Sequence, residues 1–462
     1  MKLFFSGKST DLLVATAEGL AKIATFFIIP ISGLFLPTSD FNLWSIIFPS
    51  IQILASAISF GLPNYVLRSY FVKGNENKVD NSPVYIAFSL LFLFSLFCFI
   101  AIKSWFSENL FLRWDIFMIL VTNSFLLIIQ QKYQSERNGV GYFNQSFVWR
   151  IGFAILLVLF FLFNLEVGLD FMLKSLLFIQ LGLLAVAIYK DCRFFKSKIN
   201  WKEQSEIIKF GFPLFLTGVL QFMIYMNSRY FVYNKGEVHD TAIFSIIHTF
   251  IGTLNLLFVI FVRIYVPRLF EVLSGEKDMG SLFFYKKVMF PLFEIVSILI
   301  FIGLFCYSAI FRFTFEDEIF RLTPILIFGQ FFYSLQIFII DSMLYYQKTI
   351  NMFLISLVSA AFSIIIGYLL VQKFGIYGAS VGVALTQFLS LIIVIYFTGN
   401  LYEIIIGVKY SLIRVMRISI LMFTAFCCYN FLGHIAVIVF FIILMGCLIW
   451  ELKIPKLIKK FM

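Results

Sequence analysis

Several ionisable side chains of this chain interrupt long apolar stretches. Glu18 and Lys22 stand four residues apart in one of them, the order and spacing of an ion pair on one helix face. Lys174, Arg229, Glu294 and Asp341 each interrupt another, and Arg68, Arg150 and Arg263 mark the ends of three more. A charge at the centre of a bilayer costs about 2.5–3.5 kcal/mol on insertion scales, so such groups usually face a bundle interior or an aqueous cavity. Taken together, Lys22, Arg68, Lys174, Arg229 and Arg263 form a series of cations at several depths. Such a series could pass an anionic headgroup from one face to the other, with arginine forking onto phosphate oxygens. The carboxylates Glu18, Glu294 and Asp341 are candidates for H+ or Na+ coupling, because in a partly dry cavity a carboxylate gains by taking up a proton or a cation. The amides Gln52, Gln221, Asn227 and Asn255 lie inside apolar stretches and offer donors and acceptors suited to sugar hydroxyls.

Each group also has a plainer reading. Arg68, Arg150, Arg263 and Arg268 could snorkel to the cytoplasmic headgroups, and Lys174 and Arg229 could reach the outer interface in the same way. Glu18 and Lys22 could simply neutralise each other, and Glu294 and Asp341 could lock neighbouring helices. No nucleophile–base arrangement suggests a catalytic residue. His239, His248 and His434 are too scattered for a metal site. The expectation is a transporter without metal or organic cofactor, coupled to H+ or Na+, rather than an enzyme.

The elements that must position these groups follow from composition. The chain has 462 residues, 61% hydrophobic and 13% charged, with 63 phenylalanines. A soluble domain carries roughly 45–50% apolar and about 25% charged residues. That contrast excludes a soluble enzyme, a disordered scaffold and a disulfide-stapled secreted module. Five of the six cysteines lie in apolar runs and Cys192 in a basic loop, which offers no disulfide framework. A bilayer core about 30 Å thick takes about 20 helical residues. Apolar runs of that size start near Leu12, Asn42, Pro83, Ile116, Phe147, Leu169, Ile208, Thr241, Met289, Leu322, Asn351, Ile376, Leu412 and Ile435, which makes fourteen spans. They are too long for barrel strands, so the expected fold is all-α and polytopic. The first run lacks a small-residue cleavage site and reads as a retained helix.

The net charge of +11 is topological. With a cytoplasmic N-terminus, the alternate connections that face inward collect most of the 36 Lys and Arg, including the basic linker from Lys190 to Lys209 and the tail from Lys453 to Lys460. The bias places both termini in the cytoplasm and removes the need for a nucleic-acid partner.

Shifted by 200 residues, the chain matches itself without gaps. Asp40, Ser45, Tyr65, Val66 and Arg68 meet Asp240, Ser245, Tyr265, Val266 and Arg268. A slightly larger shift pairs Gly168 and Gln180 with Gly375 and Gln387. The period is six spans, an even number, so the two copies enter the membrane in the same direction. The expected organisation is an N-terminal six-helix lobe over 1–200, a second over 201–405, and helices thirteen and fourteen with a basic tail over 406–462.

Four further segments carry a family resemblance. They are Phe60-Gly61-Leu62 followed by Arg68, Phe210-Gly211-Phe212-Pro213, Asn227-Ser228-Arg229-Tyr230, and Lys373-Phe374-Gly375-Ile376-Tyr377-Gly378-Ala379. The last is similar to an aromatic-glycine-x-x-glycine-alanine turn. The pattern resembles a bacterial polysaccharide flippase, of O-antigen or capsule type, in the multidrug/oligosaccharidyl-lipid/polysaccharide exporter superfamily. Members often have Asp-Arg where this chain has Ser228-Arg229, so no carboxylate role carries over to Ser228. The resemblance implies two parallel six-helix lobes in a V, alternating access in the bacterial inner membrane, and ion-coupled antiport. The implied cargo is an undecaprenyl-pyrophosphate-linked oligosaccharide flipped from the cytoplasmic to the periplasmic leaflet. Lys22 and Arg229 would hold the pyrophosphate, the amides would meet the sugars, and the lipid tail would stay among the membrane lipids. A polysaccharide polymerase and a chain-length regulator are the implied protein partners.

Three alternatives stay open. A multidrug exporter and a peptidoglycan-precursor flippase of the same superfamily share the span count, although Lys22, Lys174 and Arg229 favour an anion over a cationic drug. A membrane polysaccharide polymerase would need a large loop outside the membrane. The longest periplasmic connections, from Lys103 to Asp115 and from Arg312 to Arg321, are short for that.

Overall fold

A helix satisfies each backbone N–H and C=O within its own segment, which is why apolar runs in lipid take this form. The computed structural model describes residues 20–21, 24–66, 82–105, 113–136, 138–163, 165, 167–190, 200–235, 238–254, 280–308, 316–345, 349–398, 413 and 416–417. Ten helices of fifteen or more residues lie among them: α1 (Thr38–Ile58), α2 (Ser82–Trp105), α3 (Trp114–Ser135), α4 (Gly139–Leu162) and α5 (Leu169–Lys190). They continue with α6 (Trp201–Asn234), α7 (Val238–Gly252), α8 (Gly280–Ser308), α9 (Glu316–Tyr345) and α10 (Thr349–Thr398). Seven of the described helices are long and apolar enough to cross a membrane by length and composition. Several begin before the apolar run does. α4 starts at Gly139 rather than near Phe147 because Asn138 caps it, its side-chain oxygen accepting from the Gly141 N–H at 2.9 Å. Most of the first predicted span and the thirteenth and fourteenth lie outside the described residues.

The chain divides into two compact units, Met1–Met226 and Asn227–Met462. The division falls inside α6 rather than in the basic linker, because the first half of α6 packs on α1. Residues Phe60 (φ 55) and Gly61 (φ 65) turn left-handed just past α1. Gly211 sits directly on the Phe60 carbonyl, and a methyl group on Gly218 would come within 2.8 Å of the Ala57 side chain. Phe60 stacks on Phe215 with ring centroids 4.5 Å apart. This seam accounts for the Phe60-Gly61 and Phe210-Gly211 motifs: small residues let two backbones meet where lipid supplies no hydrophobic drive.

In the first unit, Trp44, Phe48, Trp149 and Phe153 are fully buried, with Trp44 stacked on Phe48 at 5.0 Å. α3 is tied to α1 by Ser124 Oγ donating to the Ala55 carbonyl at 2.9 Å, and to α5 by Thr122 Oγ1 donating to Gln180 Oε1 at 2.9 Å. The Asp40 carboxylate accepts from the Leu169 N–H at 3.0 Å, so α1 caps α5.

The second unit repeats these devices. Gln336 on α9 donates to the Gln387 carbonyl at 2.6 Å and accepts from Ser390 Oγ at 2.9 Å, in the place of the Thr122–Gln180 bond. Gly375 has φ 57 and breaks α10 into the two predicted spans. Asp240 Oδ2 lies 3.9 Å from where a methyl group on Gly375 would stand, as Asp40 Oδ2 lies 3.4 Å from the same place on Gly168. Past the break, Gly378 packs directly on the Leu370 carbonyl, and a methyl on Gly382 would lie 3.3 Å from the Gly367 Cα. The aromatic-glycine-x-x-glycine-alanine segment is therefore a tight helical hairpin. Both units keep an acid beside a glycine, Asp40 at Gly168 and Asp240 at Gly375, and a glutamine in an interhelix hydrogen bond.

Candidate anion-binding site

Arg229 lies late in α6 and its side chain reaches α7. Its side chain is buried, with 4% exposure. The guanidinium donates through Nε to His248 Nδ1 at 3.1 Å, with Nη2 also 3.1 Å from that nitrogen, and through Nη2 to Thr249 Oγ1 at 3.0 Å. Thr249 spends its own hydrogen on the Ser245 carbonyl at 2.7 Å, which leaves its oxygen a lone pair for the arginine. His248 lies flat on Phe244, ring centroids 5.5 Å apart and planes 7° apart. An i, i+4 spacing puts the two rings on one helix face. His248 and Thr249 orient a planar cation whose fork geometry suits phosphate oxygens.

Around it, Asn227 Nδ2 donates to Ser363 Oγ on α10 at 3.1 Å, and Phe231 meets Tyr368 edge-on at 5.6 Å. These contacts fix the register of α6 against α10. Asn227 thus shares the α6 end with Arg229, and Gln221 lies partly buried two turns earlier on the same helix.

The other sequence-derived candidates lie on other helices or outside the described residues. Lys174 is exposed on α5. Gln52 on α1 is partly buried and accepts from Asn123 Nδ2 at 3.5 Å. Glu294 is buried on α8, and its carboxylate lies 3.6 Å from Arg417. That pair gives Glu294 the geometry of a lock between α8 and the segment at 416–417. Asp341 lies on α9, with its side chain outside the described residues. Glu18, Lys22, Arg68, Asn255 and Arg263 also lie outside them. Among the described residues, no group of three or more His, Cys, Asp or Glu could hold a metal ion.

His248 and Thr249 are the site residues that sequence reasoning missed. The signal was present: at the 200-residue shift His248 meets Phe48, a ring exchanged for one with a hydrogen-bonding edge.

No family model and no curated protein matches this sequence. Solved structures do match. The MATE multidrug transporter DinF-BH superposes with a TM-score of 0.64 at 16% identity, over 87% of this chain and 97% of that one. The lipid II flippase MurJ in an inward closed conformation gives 0.56 at 15%, over 96% and 99%. The fold is that of the MATE and MurJ transporters. A Vibrio cholerae MATE transporter, VcmN, agrees, with a TM-score of 0.57 at 13% identity over 86% of this chain and 99% of that one. The chain is an all-α, multi-pass membrane protein with a MATE-type fold.

Proposed function

We propose that this protein is a flippase for lipid-linked oligosaccharide. It moves undecaprenyl-pyrophosphate-linked repeat units from the cytoplasmic to the outer leaflet of a bacterial inner membrane by alternating access, drawing on an H+ or Na+ gradient. The observation that carries this reading is the buried Arg229, a guanidinium hydrogen-bonded to His248 and Thr249 inside a membrane helix. An anion is the ligand such a group favours, and a pyrophosphate offers the oxygens that a guanidinium forks onto. The fold shared with the lipid II flippase MurJ supports a lipid-borne cargo. In this reading Asn227 and Gln221, on the same helix, meet the first sugars. A polysaccharide polymerase would take the flipped unit, with a chain-length regulator acting after it.

In this mechanism the headgroup exchanges its water shell for the guanidinium and the amides, while the polyprenyl tail stays in lipid. The short connections leave no bulky domain to obstruct a long glycan.

A second reading is a multidrug exporter, favoured by the TM-score of 0.64 for DinF-BH against 0.56 for MurJ. An acid free to meet a cationic drug would suit it, whereas Glu294 lies beside Arg417. Replacing Arg229→Ala or Lys22→Ala separates the two. Each should abolish surface polysaccharide, with lipid-linked repeat units accumulating and membrane levels of the protein unchanged. Normal surface polysaccharide in both variants would return the chain to the exporter reading.

A further inference from the structure

We propose that the first three turns of α6, Trp201 to Phe212, are a membrane-surface contact whose ligand is the headgroup of an anionic phospholipid. Neither Arg229 nor the cargo enters this contact, so it stands or falls apart from the flippase reading.

Neighbouring helices fix the level of this segment. One stretch long and apolar enough to cross a membrane begins at Ser82, and another ends at Tyr189. Gln204 Nε2 donates to the Pro83 carbonyl at 3.0 Å, and Ile207 shares a buried cluster with Val84, Tyr85 and Ala187. Residues 204–207 therefore stand level with the ends of two membrane-length stretches. At 1.5 Å per residue, Trp201 lies roughly 7 Å to the water side of that level and Phe212 roughly 10 Å to the lipid side.

The helix faces are sorted to match. Gln204, Ile207 and Gly211, three and four residues apart, form the buried side. Trp201, Ser205, Ile208 and Phe212 repeat at the same spacing on another side, and all four are exposed, Trp201 by 69% and Phe212 by 50%. Lys202 and Lys209, seven residues apart and both exposed, form the stripe beside them. An apolar stripe bordered by lysines at the end of a membrane span suits the bilayer surface. Trp201 sits among the headgroups, Ile208 and Phe212 meet the acyl boundary, and the ammonium groups reach out to the phosphates. Tyr189, exposed at the end of α5, adds a second aromatic ring at this level.

Charge selects the headgroup. From Lys190 to Lys209 the sequence carries six basic residues, Lys190, Arg193, Lys196, Lys198, Lys202 and Lys209, against the three acids Asp191, Glu203 and Glu206. Glu203 and Glu206 stand on the segment itself and offset two of the cations. The remaining surplus is positive, and near a bilayer surface each lysine favours anionic over neutral lipid by about fivefold. Gln204 and Ile207 hold the segment to its neighbours in the first unit, so lipid bound here is bound by that unit.

The test uses the full chain in nanodiscs of mixed phosphatidylglycerol and phosphatidylcholine. Trp201 emission is read as the difference between wild type and Trp201→Phe, an exposed position where a smaller ring leaves the fold intact. One set of discs carries a nitroxide high on the acyl chain of the phosphatidylglycerol, and the other carries it on the phosphatidylcholine at the same composition. Both labels should quench Trp201, the phosphatidylglycerol label at least about threefold more at equal mole fraction. Lys202→Gln combined with Lys209→Gln, both exposed positions, should keep the quenching and bring that ratio close to one. Quenching by neither label overturns the proposal. Free access of acrylamide would then put the segment in water, and protection from acrylamide would put a protein partner or a second copy over the stripe. A ratio near one in wild type, or an unchanged ratio in the double variant, overturns the recognition of the anionic headgroup.

Discussion

The two halves of the chain that match at the 200-residue shift use similar internal contacts for different ends. In the first, Trp44 and Phe48 form a stacked pair at 5.0 Å, both fully buried. In the second, Phe244 and His248 form the matching pair at 5.5 Å, and the imidazole turns its edge to Arg229. At the same 200-residue shift Arg229 meets Ile29, which is buried. The first copy keeps an apolar contact where the second carries a cation and its support. The structural requirement is a pair of stacked rings, and the charge is what the second copy adds. The acid beside the glycine behaves differently, because both copies retain it: Asp40 beside Gly168, and Asp240 beside Gly375.

That contrast can be broken experimentally, beginning with the glycine hairpin that belongs to the second copy. A side chain at Gly378 would run into the Leu370 carbonyl. Gly378→Val should cost about 3 kcal/mol or more, as overpacking with no room to relax does, and should be read as lost folded protein by size exclusion. Gly168→Ala, where the nearest atom is the Asp40 carboxylate at 3.4 Å, should cost under about 1 kcal/mol.

Next comes the ring itself. Phe48→His should place an imidazole in a fully apolar setting and destabilise by about 1–3 kcal/mol, measured by thermal unfolding. The reverse change, His248→Phe, should be nearly neutral for stability. Equal losses in the two directions would contradict the division of roles between the copies.

The caps should be weaker and similar. Asp40→Ala removes the acceptor for the Leu169 N–H and should cost about 0.5–2 kcal/mol. Hydrogen exchange at the start of α5 would register it.

The smallest effect belongs to the ion cluster ahead of α3. Arg113 donates to Asp115 at 2.6 Å and to Asp170 at 2.6 Å. Asp115 hydrogen bonding raises the arginine above its ordinary value, against a smaller opposing effect of burial. The sign follows: a raised cation contributes stability that is complete at lower pH and lost only when pH climbs through that high value. Because Asp170 is largely exposed, Asp170→Asn should cost under about 1 kcal/mol, unchanged between about pH 6 and 9 and reduced by salt.

Much of the fold was legible in the sequence for a physical reason. In lipid the backbone must be helical, so apolar run length alone marks the spans. The repeat was legible because Asp40 and Asp240 stand beside matching glycines, and Gln180 and Gln387 both take part in hydrogen bonds between helices. Helix starts were less so, since Asn138 extends α4 into polar sequence that hydropathy reads as loop. At the site, Arg229 stood out as a charge among apolar residues. His248 did not, because a lone histidine on an apolar helix has no distinguishing spacing. Only its arginine partner, nineteen positions away in sequence, gives it meaning. Of the sequence series of cations, Lys174 is exposed and Arg229 enclosed, while Lys22, Arg68 and Arg263 lie outside the described residues.

The most direct test of the central claim is translocation in proteoliposomes. The full-length chain, reconstituted with a polyprenyl-pyrophosphate-linked oligosaccharide, should move that lipid between leaflets. Arg229→Ala, incorporated to the same density, should reduce the rate at least tenfold. The same rate in wild type and Arg229→Ala would contradict the account.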